Sequence, residues 1–224
     1  MSKSTHDDVI PCQLYLVIAP GPTARERLAA ALDAAPVASV LIKPRAGDKL
    51  GAGEVKPLVD LCQKADVAVV LDDDAQLART LRADGVQVKT TDGSMSAYDE
   101  ARDILGAGAI VGVDAGGSRH LSMAAGEAGA DYVAFGLTDV DRGQMADDTA
   151  MARNDLLAWW AEIFEVPCVA LDVRDVEDAL RVAHTGADFS TFQIPEGMAL
   201  DDVRAAVADA HDALLRSLAD EADA

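Results

Sequence analysis

Short apolar segments recur along the whole chain, and each one is followed by a segment with helical spacing of its apolar residues. There are eight of them, at residues 13–19, 37–43, 67–71, 86–88, 109–113, 131–135, 166–171 and 189–192. A strand that is apolar throughout, rather than alternating, is buried on both faces, as in a parallel sheet. In a chain of 224 residues, this regular alternation predicts a (β/α)8 TIM barrel. A doubly wound open sheet is the alternative, and eight strands make it the weaker hypothesis.

A short motif at the start of three strands supports a repeat of βα units. It reads A-D-G-V at 83–86, G-A-D-Y at 129–132 and G-A-D-F at 186–189. In each copy a small residue ends a helix and a short strand follows. We therefore treat residues 1–224 as a single barrel domain, and we expect residues 1–12 and 219–224 to be flexible.

The charge of the chain limits its partners. It has 19 basic and 39 acidic side chains, a formal net charge of −20. This field repels nucleic acid and anionic membrane surfaces, so neither is expected as a partner. A phosphorylated small molecule can still bind where local cations, helix N-termini or a metal ion hold it.

The lengths of the apolar segments and the pattern of the cysteines indicate in which compartment the protein is expected. No apolar run approaches the roughly 18 residues of a membrane span, and no secretory signal is visible at the N-terminus. Cys12, Cys62 and Cys168 are scattered, without a CxxC pair. We therefore expect a cytoplasmic protein whose cysteines pack as small apolar groups, without structural zinc. By analogy with other barrels of this size, a homodimer is one expected assembly.

Carboxylates follow two neighbouring strands. Asp72, Asp73 and Asp74 end the strand at 67–71, and Asp92 follows the strand at 86–88. The carboxyl ends of parallel strands share one edge of the barrel, where ligands bind. Two carboxylates there suit Mg²⁺, and Asp73 and Asp92 are the expected ligands. The alternative is that the aspartates cap the next helix, and at least one of the three is expected to do so.

Other strand ends supply cations and glycines. Lys43 and Arg45 flank Pro44 after the second strand, in a spacing suited to phosphate oxygens. Adjacent glycines after the fifth strand could form an anion cradle at a helix start, or a plain tight turn. No nucleophile elbow, GxxxxGK loop or HExxH motif occurs. The expected substrate contacts are Asp72, Lys89, Gly116, Gly117, Gly136 and Arg142.

Two segments resemble a known family. Residues 129–136 read G-A-D-Y-V-A-F-G, against G-A-D-Y-V-G-F-G in that family, and residues 82–92 correspond to its G-A-D-G-V-H-L-G-Q-x-D. The family is thiamine phosphate synthase, and the chain resembles it over most of its length. The resemblance implies a TIM barrel in which the two magnesium carboxylates fall on Asp73 and Asp92. It also places the basic Q-x-R-x-K signature on Leu41, Lys43 and Arg45, so the two cations are the expected catalytic residues.

The chain departs from the family at several strand ends. The family's Ser-Thr-His after the fifth strand is Asp114-Ala115-Gly116, and its threonine-rich loop after the sixth is T-D-V-D-R at 138–142. The glycine pair after the seventh strand is Asp172-Val173, and the small-residue phosphate cup after the eighth is Q-I-P at 193–195. These changes are expected to oppose binding of a phosphate monoester at the seventh and eighth strands.

Three hypotheses about function remain open. The resemblance implies a transferase that joins a hydroxymethylpyrimidine pyrophosphate to a thiazole phosphate with Mg²⁺ and releases pyrophosphate. The altered phosphate cup favours a non-catalytic paralogue that binds a thiamine precursor or pyrophosphate. A different barrel enzyme, such as a thiazole tautomerase-like isomerase, is a third hypothesis, disfavoured by the lack of a clear acid/base pair at the strand ends.

Overall fold

Every predicted apolar segment forms a parallel strand, and each strand is followed by a helix. In the computed structural model, which describes residues 12–90, 93–136 and 146–222, the strands close into a barrel in chain order. The strands are β1 (Gln13–Ile18), β2 (Ser39–Ile42), β3 (Ala68–Asp72), β4 (Gly85–Lys89), β5 (Ile110–Asp114), β6 (Tyr132–Phe135), β7 (Cys168–Ala170) and β8 (Phe189–Gln193). The helices are α1 (Ala24–Ala34), α2 (Ala52–Lys64), α3 (Ala75–Leu81), α4 (Ser96–Leu105), α5 (Arg119–Ala128), α6 (Ala146–Ile163), α7 (Val176–Ala183) and α8 (Leu200–Ala222).

The barrel prediction is confirmed by the pairing of the first strand with the last. β1 and β8 run parallel, with Gln13 opposite Phe189 and Val17 opposite Gln193. This pairing leaves no open edge, so the open-sheet alternative is excluded. Residues of a single strand face two separate cores, as a strand buried on both faces requires. Val69 and Leu71 pack outwards against the helices, whereas Val70 packs inside the barrel.

Apolar side chains, most of them large, fill the inside of the barrel. The buried residues of this inner cluster are Tyr15, Val17, Leu41, Val70, Tyr132, Ala134, Val169 and Leu171. Gly112 makes room for one of them, because a Cβ at that position would stand 2.0 Å from Cζ of Tyr132. The rings of Tyr15 and Tyr132 meet edge to face, with centroids 6.2 Å apart. The interior is therefore packed, and substrate access is at the strand ends.

The repeated aspartate of the sequence motif joins neighbouring strands. The Oδ2 atoms of Asp84, Asp131 and Asp188 each accept a hydrogen bond of 2.8 Å from a backbone N–H of the preceding strand. The donors are Val69, Val111 and Cys168. All three donors are buried, so each aspartate satisfies a backbone group that water cannot reach. The repeat therefore has a structural role at the bottom of β4, β6 and β8.

Helix starts are decided locally. α7 begins at Val176, since Asp175 accepts a hydrogen bond from the Asp178 N–H and caps the helix. α6 begins at Ala146. Thr23 precedes α1 but makes no side-chain cap. α8 continues to Ala222, and flexibility of the chain ends remains a prediction.

A membrane-spanning helix is not found among the described residues, where no helix combines the necessary length and apolar character. The three cysteines are buried without disulfides. Burial raises the pKa of the Cys62 and Cys168 thiols to about 12, so both remain protonated at neutral pH. The expectation that they pack as small apolar groups is confirmed.

Candidate functional site

Charged side chains of opposite sign alternate around the carboxyl-terminal rim of the barrel. Lys43, Asp72, Lys89 and Asp114 follow four successive strands, β2 to β5. Each lies two residues beyond an inward-facing position, and the charges of Lys43, Lys89 and Asp114 all act on Asp72, so the four side chains lie close together at this rim. A cavity of about 500 Å³ opens above them, and Lys43, Arg45, Lys89, Asp172 and Glu196 are among its lining residues. Three of the residues named from the sequence, Lys43, Arg45 and Lys89, therefore share a cavity at the strand ends.

Asp72 is half-buried at the end of β3. Burial raises its pKa to about 6, and the nearby charges of Asp114 and Asp73 act in the same direction. The positive charges of Lys43 and Lys89 lower the pKa but do not cancel that rise. Asp72 therefore exchanges a proton close to neutral pH.

Asp114 changes the predicted anion cradle after β5. Its Oδ1 accepts a hydrogen bond of 2.9 Å from the N–H of Gly116, and the N–H of Ser118 donates to the carbonyl of Ala115 at 3.0 Å. Burial raises the pKa of Asp114, and Asp172 adds to the rise, whereas Lys89 and Lys43 oppose it. Because the protein itself uses these two N–H groups, the cradle expected from Gly116 and Gly117 rests on Gly117 alone. The alternative, a plain tight turn, describes Gly116 better. Ser118 caps α5 by accepting a hydrogen bond from the N–H of Leu121.

Asp73 lies beside the rim with a left-handed backbone, at φ 55°. Its N–H donates to the carbonyl of Gln87 at 2.8 Å, and its Oδ1 is 3.4 Å from the N–H of Lys89. The side chain is exposed, so its oxygens face solvent at the mouth. The next residue, Asp74, accepts from the N–H of Leu77 at 2.9 Å, which confirms that one of the three aspartates caps α3.

Asp92 and Arg142 lie outside the described residues, so their predicted roles stay predictions. Within residues 12–90, 93–136 and 146–222, no three metal-binding side chains cluster. This is compatible with Mg²⁺, which proteins often bind through one or two carboxylates together with substrate phosphates. The exposed hard oxygens of Asp73 fit such a cation.

Arg45 is not free at the mouth. Its Nε donates to Oε1 of Glu196 at 2.5 Å, which links the loop after β2 to the loop after β8. Glu196 was not among the predicted site residues, because the sequence shows neither residue facing the other. The contact uses the Nε–H alone, so an anionic substrate can still bind the Nη groups of Arg45 beside this carboxylate.

The end of β7 comes close to Gly136. A Cβ at Gly136 would stand 3.1 Å from Oδ2 of Asp172 and 3.2 Å from Cβ of Leu171. Gly136, an expected substrate contact, therefore allows the end of β7 to pack closely against it. Asp172 has a left-handed backbone, at φ 55°, and its charge raises the pKa of Asp114 across the mouth. A carboxylate thus faces the site where the related family has glycine.

A buried ion pair behind the mouth holds the β7–α7 loop. Nη1 of Arg153 donates to the carbonyls of Leu171 and Asp172 at 3.0 and 3.2 Å, and its Nη2 donates to Oδ1 of Asp178 at 2.9 Å. Oδ2 of Asp178 accepts from the N–H of Arg174 at 3.1 Å. Although burial raises the pKa of Asp178, the charge of Arg153 and these hydrogen bonds hold it below its usual value. Breaking such a pair by removing one partner typically costs about 3–5 kcal/mol, so the loop is firmly placed.

The sequence analysis missed Arg153 and Asp178, although a signal was present. Ala150, Arg153, Leu157 and Trp160 are all buried at helical spacing on one side of α6. An arginine in such an apolar stripe must find buried acceptors. Its partners could not be named from the sequence, because they follow a different strand.

The chain matches a family model described as thiamine monophosphate synthase over residues 14–192. The chain belongs to this family. It is 45% identical to a thiamine-phosphate synthase of Rhodospirillum centenum over 182 residues, which are 80% of this chain and 86% of that protein. It is 36% identical to a thiamine-phosphate synthase of Hyphomonas neptunium over 220 residues, which are 92% of this chain and 95% of that protein.

The fold is similar to that of solved structures. Thiamine phosphate pyrophosphorylase from Pyrococcus furiosus superposes with a TM-score of 0.72 and 22% identity, over 92% of this chain and 96% of that one. At this identity the likeness concerns the fold alone. The predicted family is thus confirmed, and the names of its relatives support the transferase interpretation over the isomerase hypothesis.

Proposed function

We propose that this chain joins a hydroxymethylpyrimidine pyrophosphate to a thiazole phosphate. The bond between the pyrimidine methylene carbon and the pyrophosphate oxygen breaks, and pyrophosphate leaves with the electron pair. A bond from the same carbon to the thiazole nitrogen then forms. The observation that supports this proposal is the rim itself, where Lys43, Arg45 and Asp73 follow β2 and β3 in a chain that matches the family from residue 14 to 192.

The residues of the mouth act mainly on the leaving group. Negative charge grows on the pyrophosphate as the bond breaks, and fixed cations stabilise it in a partly buried site. Lys43 and Lys89, at the ends of β2 and β4, would stabilise this charge, and Arg45 would contribute through its Nη groups while Nε stays on Glu196. Mg²⁺ held by Asp73 and Asp92 would add positive charge to the same oxygens.

The positive and negative charges of the rim compensate each other, and this explains why the proposal needs Mg²⁺. The charges of Lys43 and Lys89 act on both Asp72 and Asp114, so these four residues together have no excess positive charge. Pyrophosphate binding should therefore depend strongly on Mg²⁺. Binding in the absence of Mg²⁺ is expected to be weak.

The first experiment measures thiamine phosphate formation and pyrophosphate binding by the same purified chain. Asp73→Asn is the informative variant, since asparagine tolerates the left-handed backbone while it removes the charge. We expect Mg²⁺-dependent pyrophosphate binding to weaken by roughly 10–100-fold, with turnover falling in parallel. Asp60→Asn on the exposed face of α2 is the matched control and should change neither quantity. Pyrophosphate binding by the unaltered chain that ignores Mg²⁺ would refute the metal site.

A non-catalytic paralogue is the second candidate, favoured by the position of Asp172. Two like unit charges at about 4 Å repel by roughly 4 kcal/mol at an effective dielectric near 20. A carboxylate that reaches the mouth from β7 therefore opposes a phosphate monoester at that strand end. The prediction is weak binding of thiazole phosphate together with retained binding of Mg²⁺ and pyrophosphate.

Calorimetry on the double variant Asp172→Gly, Val173→Gly tests this candidate. Glycine suits the left-handed backbone at 172 and restores close backbone approach. Thiazole phosphate should bind at least about tenfold more tightly than in the unaltered chain, because a repulsion of this size is removed. Arg45→Gln, at the other side of the mouth, is the control and should give no such gain. Rapid turnover by the unaltered chain would rule out the non-catalytic candidate.

We further propose a cytoplasmic location and small phosphorylated substrates. The reduced, buried cysteines and the cation pair at β2 support these proposals. Assembly as a homodimer also remains a prediction, which sedimentation of the purified chain would test.

A further inference from the structure

Arg45 meets residues of two other loops at the mouth of the barrel. Its Nε donates to Oε1 of Glu196 at 2.5 Å, which joins the loop after β2 to the loop after β8. Its Nη2 lies against Gly21 in the loop after β1, where a Cβ would overlap the guanidinium. Gly21 stands between Pro20 and Pro22, which restrict the backbone on both sides. The guanidinium is therefore held among three loops of the barrel mouth.

The loop that carries Glu196 is itself anchored from α1. Arg27 is 2% exposed on that helix, and its Nη1 donates to the carbonyl of Pro195, the residue before Glu196. A buried guanidinium requires acceptors, so this bond is costly to lose. The N–H of Ile194 donates to the carbonyl of Val17 on β1 at 2.9 Å. These bonds fix the backbone from which the Glu196 side chain reaches its partner.

Glu196 is one of three carboxylates whose charges act on Arg45. The other two are Asp48 and Glu54. Neither of these is among the described residues that line the mouth cavity, whereas Glu196 is. Without Glu196, the two remaining carboxylates would attract the guanidinium away from the cavity. The hydrogen bond to Glu196 therefore keeps the guanidinium on the cavity side of its loop.

The contact leaves the donors that an anion needs. A guanidinium has five N–H groups in a planar fork, and Glu196 uses the one on Nε. Charge-assisted hydrogen bonds from the Nη groups suit pyrophosphate oxygens. Such a group stabilises growing charge best when it is already in place as the bond breaks. The carboxylate of Glu196 also repels an anion, so positioning and repulsion predict opposite effects when Glu196 is removed.

We propose that Glu196 is a positioning residue that holds the Arg45 guanidinium at the mouth through Nε, so that its Nη groups meet the leaving pyrophosphate. Glu196 itself does not touch the substrate and acts only through Arg45. Gly21 supports the same placement by leaving room for Nη2. The inference rests on the proposed function, because it assigns the group that places one of the cations acting on the leaving group.

A double-mutant cycle tests whether Glu196 acts through Arg45. Glu196→Ala removes the acceptor, so kcat for thiamine phosphate formation should fall about 10–30-fold, because the charge that Arg45 stabilises grows as the bond breaks. KM for hydroxymethylpyrimidine pyrophosphate should change by less than about threefold. In the Arg45→Met background, Glu196→Ala should alter kcat by less than about twofold, since the group that Glu196 positions is already gone. Glu196→Gln keeps an acceptor for Nε and should retain most of the activity.

Two controls separate positioning from charge and from stability. Glu54→Ala removes another carboxylate whose charge acts on Arg45, and it should leave kcat within about twofold. The side chains of Arg45 and Glu196 are 38% and 49% exposed, so Glu196→Ala should change Tm by less than about 4 °C. Higher activity in Glu196→Ala would mean that the carboxylate mainly repels the substrate. Equal losses with and without Arg45 would mean that Glu196 acts by another route, and either result overturns the inference.

Failure of the proposed function gives a different result. If the unaltered chain forms no thiamine phosphate but binds pyrophosphate with Mg²⁺, calorimetry with pyrophosphate repeats the cycle without catalysis. Free pyrophosphate carries the charge that develops on the leaving group, so Glu196→Ala should weaken its binding about 3–10-fold, and should not do so in the Arg45→Met background. If Glu196→Ala leaves this Kd unchanged, or if the unaltered chain does not bind pyrophosphate, the inference is wrong.

Discussion

At the scale of single residues, Asp72 shows that an ionised carboxylate at the rim lowers the stability of the fold. Burial and two neighbouring aspartates raise its pKa to about 6, from an ordinary 3.8. Between these two values the folded state binds more protons than the unfolded state. Stability therefore falls as the pH rises through this window, and at pH 7.5 the ionised Asp72 is a net cost.

Asp72→Asn removes that cost, because asparagine resembles the protonated carboxyl group. We expect the free energy of unfolding at pH 7.5, without Mg²⁺, to rise by about 1–2 kcal/mol. This gain in the free energy of unfolding is smaller than the full pKa shift of Asp72 implies, because Asp72 is only half-buried. Urea unfolding at several pH values should also show a flatter profile between pH 4 and 6. Asp60→Asn, exposed on α2, is the control and should keep the pH dependence of stability of the unaltered chain. If Asp72→Asn is instead destabilised, the neighbouring lysines need the charge of Asp72.

At the scale of elements, local patterns were predicted well and pairs distant in sequence were not. The strands were predictable because each one is a continuous apolar run, and the Asp74 cap because it precedes a helix directly. The Arg45–Glu196 and Arg153–Asp178 pairs were missed, since each joins segments that follow different strands. The engagement of the Gly116 N–H by Asp114 depends on backbone turn geometry that two glycines alone do not specify.

The repeated aspartate provides a test of how neighbouring βα units are joined. Asp188→Ala leaves the buried Cys168 N–H without its acceptor, which should cost about 1–3 kcal/mol in the free energy of unfolding. Asp188→Asn keeps an acceptor oxygen and should cost less than about 1 kcal/mol. Urea denaturation of both variants gives the comparison. Equal losses would mean that the charge, rather than the hydrogen bond, matters at this position.

At the scale of the whole molecule, the excess negative charge lies outside the charged rim. The rim combines Lys43 and Lys89 with Asp72 and Asp114, whereas the chain as a whole has a net charge of −20. Much of the excess lies on outer helix faces, as with Asp209 and Asp212 on α8, which are exposed and three residues apart. The negative charges on these faces repel one another in the compact state, and salt screens this repulsion.

Stability should therefore rise with ionic strength. Raising NaCl from about 0.05 to 1 M shortens the screening length from more than 10 Å to about 3 Å. A gain of roughly 1–2 kcal/mol corresponds to an increase in Tm of about 2–8 °C for a chain of this length. The double variant Asp209→Asn, Asp212→Asn should melt higher than the unaltered chain at low salt and gain less from added salt, because part of the repulsion is already gone. A Tm that falls with salt would mean that attractive exposed ion pairs, such as Lys56–Asp60, outweigh the surface repulsion.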